Sequence, residues 1–202
     1  VLVEDAAESL GSFYKGKHTG TLGDFGAISF NGNKVITTGG GGMVLCKTKD
    51  TGKRTKHITT TSKVPHPYEF YHDEAGFNYR MPNLNAALGC AQMEVLDNYL
   101  VQKRALANHY NEFFAKSDFE FVLEPQYAQS NYWLNAIICS SANDRDELLK
   151  ITNQAGVMTR PIWQLMHRLP MFCDAPRGDL EQSKYIEAHL VNLPSTPVLR
   201  AS

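Results

Sequence analysis

The 202-residue sequence has few cysteines, no long apolar run and no charge excess. Its four cysteines are far apart and form no CxxC pair, which predicts reduced, mostly buried thiols in a cytoplasmic protein. No stretch approaches the ~20 apolar residues of a membrane helix, so no membrane partner is expected. Lys plus Arg number 20 against 21 Asp plus Glu, which gives no basic surplus for binding nucleic acid.

The start of the sequence also lacks features of a natural N-terminus. Val1-Leu2-Val3 is apolar, with neither an initiator Met nor the charged region of a signal peptide. These residues read as the end of a buried strand. We therefore expect the sequence to be an N-terminally truncated part of a longer protein.

The remaining pattern predicts an α/β part followed by a small α+β part. Short apolar segments separated by long turn-rich stretches indicate a mostly parallel sheet in the first part. After Pro82, apolar residues recur at helical spacing for some thirty residues, which predicts one long helix with Asn83 as its N-cap and a core-facing stripe. The predicted domains are 1–115, which includes this linking helix, and 116–202.

Lys34 is the first candidate for chemistry. It follows Asn31-Gly32 and precedes the glycine run 39–42, and no GxxxxGK[ST] phosphate loop is present. Taken alone, Asn-Gly before a lysine is typical of a surface hairpin turn. The grouping of one amine with Ser29 and several small residues favours a ligand site, where a lysine can form a Schiff base.

Asp5 is the second candidate, because it ends a buried strand, where open α/β sheets place ligand-binding groups. The alternative is that it caps the turn that follows. A lysine for the Schiff base and a carboxylate for the ring nitrogen are together what pyridoxal phosphate requires. The pair Lys34 and Asp5 therefore suggests this cofactor.

Three separated motifs, in order along the chain, resemble the DegT/DnrJ/EryC1/StrS family of sugar-nucleotide aminotransferases. The first runs from Glu4-Asp5-Ala6-Ala7-Glu8 to the glycine run 39–42, and the second is Gly76-Phe77-Asn78-Tyr79-Arg80-Met81 with the following 85–89. The third, Thr159 to His167 with Pro170-Met171-Phe172, resembles the branch that aminates UDP-4-keto-6-deoxy-N-acetylglucosamine. The resemblance extends over essentially the whole sequence.

The resemblance implies a fold-type-I, pyridoxal-phosphate-dependent transaminase that acts on a nucleotide sugar, with glutamate as the expected amino donor. It implies a homodimer for the full-length protein and assigns nine residues. The cofactor set is Lys34 for the Schiff base, Asp5 for the ring nitrogen, Glu8 near the 3-hydroxyl, Ser29 for the phosphate, and Asn78. Asn78 and Arg80 would reach the phosphate or substrate region of a partner subunit. The remaining substrate set is Arg160, Trp163 and His167.

Other interpretations remain open at this point. Arg160 is also typical of a solvent-exposed strand end, Asn78 of a turn, and Trp163 with His167 of a core pair on one helix face. No metal is expected, since His66, His72 and Glu74 lack the closely paired ligands of a zinc site. A dehydratase of the same fold would carry His at the Lys34 position. A non-catalytic, truncated relic that binds sugar nucleotide or a partner is the remaining alternative.

Overall fold

The computed structural model describes residues 1–197, which form two compact units. The first contains Val1–Val101 together with Pro125–Trp133. The second contains Gln102–Glu124 and the described residues from Leu134 onward. The domains 1–115 and 116–202 proposed from the sequence stay a prediction.

The described elements are short strands and five α-helices. The strands are β1 (Val3–Asp5), β2 (Phe13–Tyr14), β3 (Lys17–His18), β4 (Phe25–Ser29), β5 (Gly42–Cys46), β6 (Lys63–Val64), β7 (Tyr71–His72), β8 (Glu120–Phe121), β9 (Ala128–Gln129), β10 (Asn135–Ile138), β11 (Arg160–Pro161) and β12 (Leu190–Leu193). The helices are α1 (Lys49–Thr59), α2 (Asn83–Glu94), α3 (Leu96–Phe114), α4 (Ala142–Gln154) and α5 (Glu181–His189), with 3₁₀ turns at Met166–Arg168 and Pro170–Phe172. No described helix is long and apolar enough to cross a membrane.

The sheet that positions the site has the order β1-β4-β5. β1 pairs with β4 in parallel, with Asp5 opposite Ala27, and β4 pairs with β5 in antiparallel register, with Ser29 opposite Gly42. Gly26 is required in β4, because a Cβ there would lie 2.0 Å from the backbone oxygen of Gly20. The sheet therefore contains one parallel and one antiparallel pairing.

The core of the first unit lies against this sheet. It consists of Ala6, Ile28, Phe30, Ile36 and Leu96, each at most 9% exposed. Ile28 points inward from β4, and Phe30 and Ile36 belong to the connection that follows it. The segment after β4 is therefore tied to the interior by two buried side chains.

The single long helix predicted after Pro82 is wrong, because the structure has two helices. Pro82 occupies the N-cap position and Asn83 is already helical. At Val95 the backbone N–H bonds to the Gln92 oxygen instead of one four residues back, which ends α2. The predicted core-facing stripe is also wrong for part of its length, since Leu84 and Phe113 are 87% and 70% exposed.

The second unit is built on an antiparallel sheet of order β11-β12-β10-β8. Ile137 and Val191, at the centres of β10 and β12, are completely buried. Ser141 caps α4 by accepting a hydrogen bond from the Asp144 N–H at 3.1 Å.

The cysteines differ from the expectation that most are buried. All four are free thiols, but Cys139 alone among them is buried, whereas Cys90 and Cys173 are exposed. Cys90 lies on α2, which has no buried residue. The helical pattern around Cys90 predicted a buried face, but none of the described residues of α2 is buried.

Candidate active site

Four of the predicted cofactor residues lie at one edge of the β1-β4-β5 sheet. Asp5 ends β1 and Ser29 ends β4. Because these two strands are parallel, their carboxyl ends lie at the same edge of the sheet. Glu8 follows shortly after Asp5, and Lys34 lies in the connection that follows Ser29. The topology therefore places a lysine, two carboxylates and a hydroxyl at one sheet edge.

Lys34 and Glu8 are in direct contact. The Lys34 Nζ forms an ion pair with Glu8 Oε1, and the Lys34 side chain is 12% exposed whereas that of Glu8 is 41% exposed. The same amine lies 4.6 Å from the centroid of the Trp133 ring. A lysine on a surface hairpin would extend into water. The contacts of the Lys34 amine with Glu8 and Trp133 therefore favour a ligand site over a surface turn.

The loop that carries Lys34, Phe30–Gly41, is closed at its base by backbone hydrogen bonds. The Phe30 N–H donates to the Gly41 oxygen at 3.0 Å, and the Thr38 N–H donates to the Phe30 oxygen at 3.0 Å. The Lys34 N–H donates to the Asn31 oxygen at 3.1 Å, so the turn expected at Asn31-Gly32 is present within the loop. The same loop therefore contains the turn at Asn31 and holds the Lys34 amine beside Glu8.

The side chains of Asp5 and Ser29 each accept one hydrogen bond from a backbone N–H two residues further along the chain. Asp5 Oδ1 accepts from the Ala7 N–H at 3.2 Å, which is the turn-capping role that the sequence left open. Ser29 Oγ accepts from the Asn31 N–H at 3.2 Å. Their roles toward a cofactor stay predictions that rest on their position at the sheet edge.

Glu4 anchors the glycine-rich stretch that follows β3, a role that the sequence analysis did not predict. Its carboxylate accepts backbone N–H bonds from Gly20 at 2.7 Å, Leu22 at 2.6 Å and Gly23 at 2.5 Å. The bond from Gly23 above all, and then those from Gly20 and Leu22, hold the pKa of Glu4 below its ordinary value. The only sequence signal is an acid on a strand facing a glycine-rich stretch, which many unrelated proteins share.

Asn78 and Arg80 lie in the segment that precedes α2. Asn78 forms an isolated antiparallel bridge with Thr60, and Arg80 Nη2 donates to the Thr60 oxygen at 2.9 Å. Arg80 also lines an open cleft of about 730 Å³, together with Lys56 and the glycines at 40–42. The structure thus places Arg80 beside the glycine run.

The three residues of the third motif belong to the second unit. Arg160, in β11, donates from Nη1 to Asn153 Oδ1 at 2.9 Å. Trp163 is 66% exposed, so the alternative that it is a core residue is wrong. Trp163 lies in irregular backbone before the 3₁₀ turn that contains His167, so the shared helix face considered for this pair is also wrong.

A separate cluster of acidic and basic groups joins α1 to the segment before α2. His57 Nε2 lies 2.7 Å from Asp73 Oδ1 and 3.5 Å from Glu74 Oε1. Arg54 binds both oxygens of Glu74, and its hydrogen bond is the main cause of the lowered pKa of Glu74. The ligating atoms of His57, Asp73 and Glu74 lie within 4.8 Å of one another, but Arg54 already occupies the Glu74 carboxylate.

Comparison with solved structures defines the class of fold. The chain superimposes on the aminotransferase TlmJ from Streptoalloteichus hindustanus with a TM-score of 0.90 and 23% identity, covering 98% of this chain and 54% of that one. The PLP form of the sugar aminotransferase Spr1654 from Streptococcus pneumoniae gives a TM-score of 0.85 and 21% identity, covering 99% and 54%. The fold is that of the sugar aminotransferases, which confirms the predicted α/β, fold-type-I class.

Sequence comparison then identifies the family. The family model described as the DegT/DnrJ/EryC1/StrS aminotransferase family matches residues 1–202, and the chain belongs to this family. GDP-perosamine synthase of Escherichia coli O157:H7 is 37% identical over 202 residues, which cover 98% of this chain and 54% of that protein. A UDP-4-amino-4,6-dideoxy-N-acetyl-beta-L-altrosamine transaminase of Campylobacter jejuni is 32% identical over 160 residues, which cover 77% and 43%. The chain therefore spans about half the length of the curated relatives it matches.

Proposed function

We propose that this protein is a pyridoxal-phosphate-dependent transaminase that moves an amino group, with glutamate as donor, onto a keto-deoxy sugar nucleotide. The observation that carries the proposal is the position of the Lys34 amine, which is 12% exposed as a side chain and paired with Glu8 at the sheet edge formed by Asp5 and Ser29. Membership of an aminotransferase family supports the reaction class.

The chemistry of the donor set fits pyridoxal phosphate. When bound, this cofactor acts as an electron sink for the α-carbon of the amino donor. Lys34 would hold it covalently through its amine, Asp5 would keep a proton at the ring nitrogen, and Ser29 Oγ would bind the phosphate. These three groups are what the cofactor needs at its aldehyde, its ring nitrogen and its phosphate.

Glu8 has a role at the Lys34 amine itself. An ammonium group must lose a proton before it can act as a nucleophile. Glu8 Oε1 already forms an ion pair with Lys34 Nζ, so Glu8 is placed to receive that proton. The family resemblance implies in addition that Glu8 would lie near the 3-hydroxyl of the bound cofactor.

The acceptor is proposed to be UDP-4-keto-6-deoxy-N-acetylglucosamine. The motif Thr159 to His167 supports this choice, and Arg160, Trp163 and His167 would face the sugar nucleotide. The 37% identity to a GDP-perosamine synthase favours a second candidate, the keto precursor of GDP-perosamine. Asn78 and Arg80 would contribute to the site of the other subunit in a homodimer.

The decisive experiment replaces Lys34 in the full-length enzyme loaded with pyridoxal phosphate. Lys34→Ala and Lys34→Arg should both abolish amino transfer and the visible absorbance of the lysine–cofactor adduct. Alanine has no amine, and arginine does not lose its proton. Lys184→Ala is the control, since that lysine is exposed and pairs with Glu181 on the surface of the second unit. Retained turnover in either Lys34 variant would overturn the assignment.

The same assay separates the substrates and the competing functions. Each keto sugar nucleotide is offered with glutamate, and the one that is aminated identifies the branch. A full-length protein that binds a sugar nucleotide but forms no amino sugar and takes up no cofactor would be a non-catalytic relic.

A further inference from the structure

We propose that Trp133, held in place by Asn131, is a positioning residue for the Lys34 amine. This inference rests on the proposed function, in which Lys34 binds the cofactor. Trp133 lies with its ring centroid 4.6 Å from Lys34 Nζ. Its indole Nε1–H donates to the backbone oxygen of Asn33 at 2.6 Å, so the ring is tied to the residue directly before Lys34.

The contact gives the Lys34 side chain two fixed neighbours. Glu8 supplies a carboxylate and Trp133 supplies an aromatic face, and both attract an ammonium group. A free lysine samples many rotamers, so two such neighbours restrict where its amine can be. A nucleophile displaced by about 1 Å loses on the order of 100-fold in rate, so this restriction affects turnover directly.

Asn131 determines where Trp133 and the Glu8 segment lie. The Asn131 side chain is almost completely buried, and its Nδ2 donates to the backbone oxygens of Glu8 at 2.6 Å and Leu10 at 2.9 Å. Its Oδ1 accepts from the Trp133 N–H at 2.8 Å. One buried amide therefore joins the segment that carries Glu8 to the residue that covers Lys34.

The first test measures access to Lys34 in the protein without cofactor. The protein is treated with a small acetylating reagent, and the acetylation rate of each lysine is followed by mass spectrometry. Trp133→Leu should raise the rate at Lys34 at least about fivefold, whereas Trp133→Phe should keep it within about twofold of the parent, because a phenyl ring still covers the amine. An unchanged rate at Lys34 in Trp133→Leu would overturn the proposal.

A matched lysine–aromatic pair elsewhere in the first unit provides the control. Lys63 Nζ lies 3.9 Å from the ring centroid of Phe70, which is 82% exposed. Phe70→Leu should raise the acetylation rate at Lys63 and leave that at Lys34 unchanged, and Trp133→Leu should do the reverse. A rise at both lysines in Trp133→Leu would indicate general loosening and overturn the specific role.

The second test separates positioning from simple structural support in the loaded full-length enzyme. Trp133→Leu should lower kcat about 100-fold while KM for the sugar nucleotide changes less than about threefold, and Trp133→Phe should restore most of kcat. Trp133→Met, which keeps an apolar side chain without the ring, replaces Trp133→Leu if the latter does not fold.

The outcomes distinguish this inference from the proposed function. The acetylation result does not depend on the cofactor, so it tests the Trp133 contact even if Lys34→Ala retains activity and the proposed function fails. Faster acetylation with unchanged kcat in Trp133→Leu would confirm the contact and overturn the positioning role.

Discussion

Lys103 is a buried cation whose replacement tests the electrostatics of the second unit. It lies on α3, is 6% exposed, and its Nζ donates to the backbone oxygen of Ser195 at 2.8 Å. Burial lowers the pKa of Lys103 from 10.5 to about 8. Because one pKa unit corresponds to about 1.4 kcal/mol, the protonated side chain costs the folded state at most about 3.5 kcal/mol at neutral pH.

The sign of the pH dependence follows from the two protonation states. Below pH 8 both the folded and the unfolded chain carry the proton, and the full cost is present. Between pH 8 and 10.5 the folded chain loses the proton while the unfolded chain keeps it, so the free energy of unfolding rises with pH. By pH 10 the expected gain is about 2.5 kcal/mol.

The assay is urea unfolding of the purified protein at pH values from 7 to 10, compared with Lys103→Met. Methionine fills similar space without a titrating group, so its profile lacks the Lys103 contribution. Burial raises the pKa of Tyr110 and of Cys139, and both lower the free energy of unfolding as pH rises. These two groups are present in both proteins and cancel in the difference.

The quantity that decides is the free energy of unfolding of the parent minus that of Lys103→Met. It should become more positive by about 2 to 3 kcal/mol between pH 7 and 10. Two profiles that stay parallel within about 0.5 kcal/mol would refute the reasoning, because the folded Lys103 would then keep its proton like an unfolded one.

Two further predictions concern the sheet of the first unit. Asp5→Asn should keep cofactor binding in the full-length enzyme but lower turnover about 10- to 100-fold, because it replaces a charged hydrogen bond worth ~1.5–3 kcal/mol by a neutral one. Turnover near that of the parent enzyme would show that Asp5 only caps the turn after β1. Gly26→Ala should lower the free energy of unfolding by about 1–3 kcal/mol, because its Cβ would lie 2.0 Å from the Gly20 oxygen. Gly178→Ala, with no atom within 4 Å of its Cβ, should change it by less than about 0.5 kcal/mol in the same urea assay, and equal effects would contradict the steric argument.

The sequence predicted where β1 ends because local patterns carry that information, but the burial predicted for this strand is wrong, since Leu2 and Val3 are 59% and 63% exposed. The strand end at Asp5 and the turn at Asn31 follow from an apolar run and from turn residues that lie next to each other in the chain. The motifs of the family then placed Lys34 and Glu8 in one site, and the structure brings their side chains into contact.

The sequence did not predict the contacts that join distant segments. Helical periodicity continues through Ala91, Val95 and Tyr99, so it cannot report that α2 ends and α3 begins between them. The sequence analysis assigned no role to Trp133 or Asn131, and their contacts with Lys34 and Glu8 join residues that lie far apart in the chain. Such tertiary contacts leave no periodic signal.

The closed base of the Phe30–Gly41 loop has a consequence for the precision of the site. A long connection between two strands normally has many conformations, and a side chain at its tip shares that freedom. Here the Phe30–Gly41 hydrogen bond continues the strand pairing, and Ile36 is 2% exposed within the core. The position of the Lys34 backbone is therefore tied to the stiffness of the sheet and its core, so core substitutions far from any ligand can displace the amine.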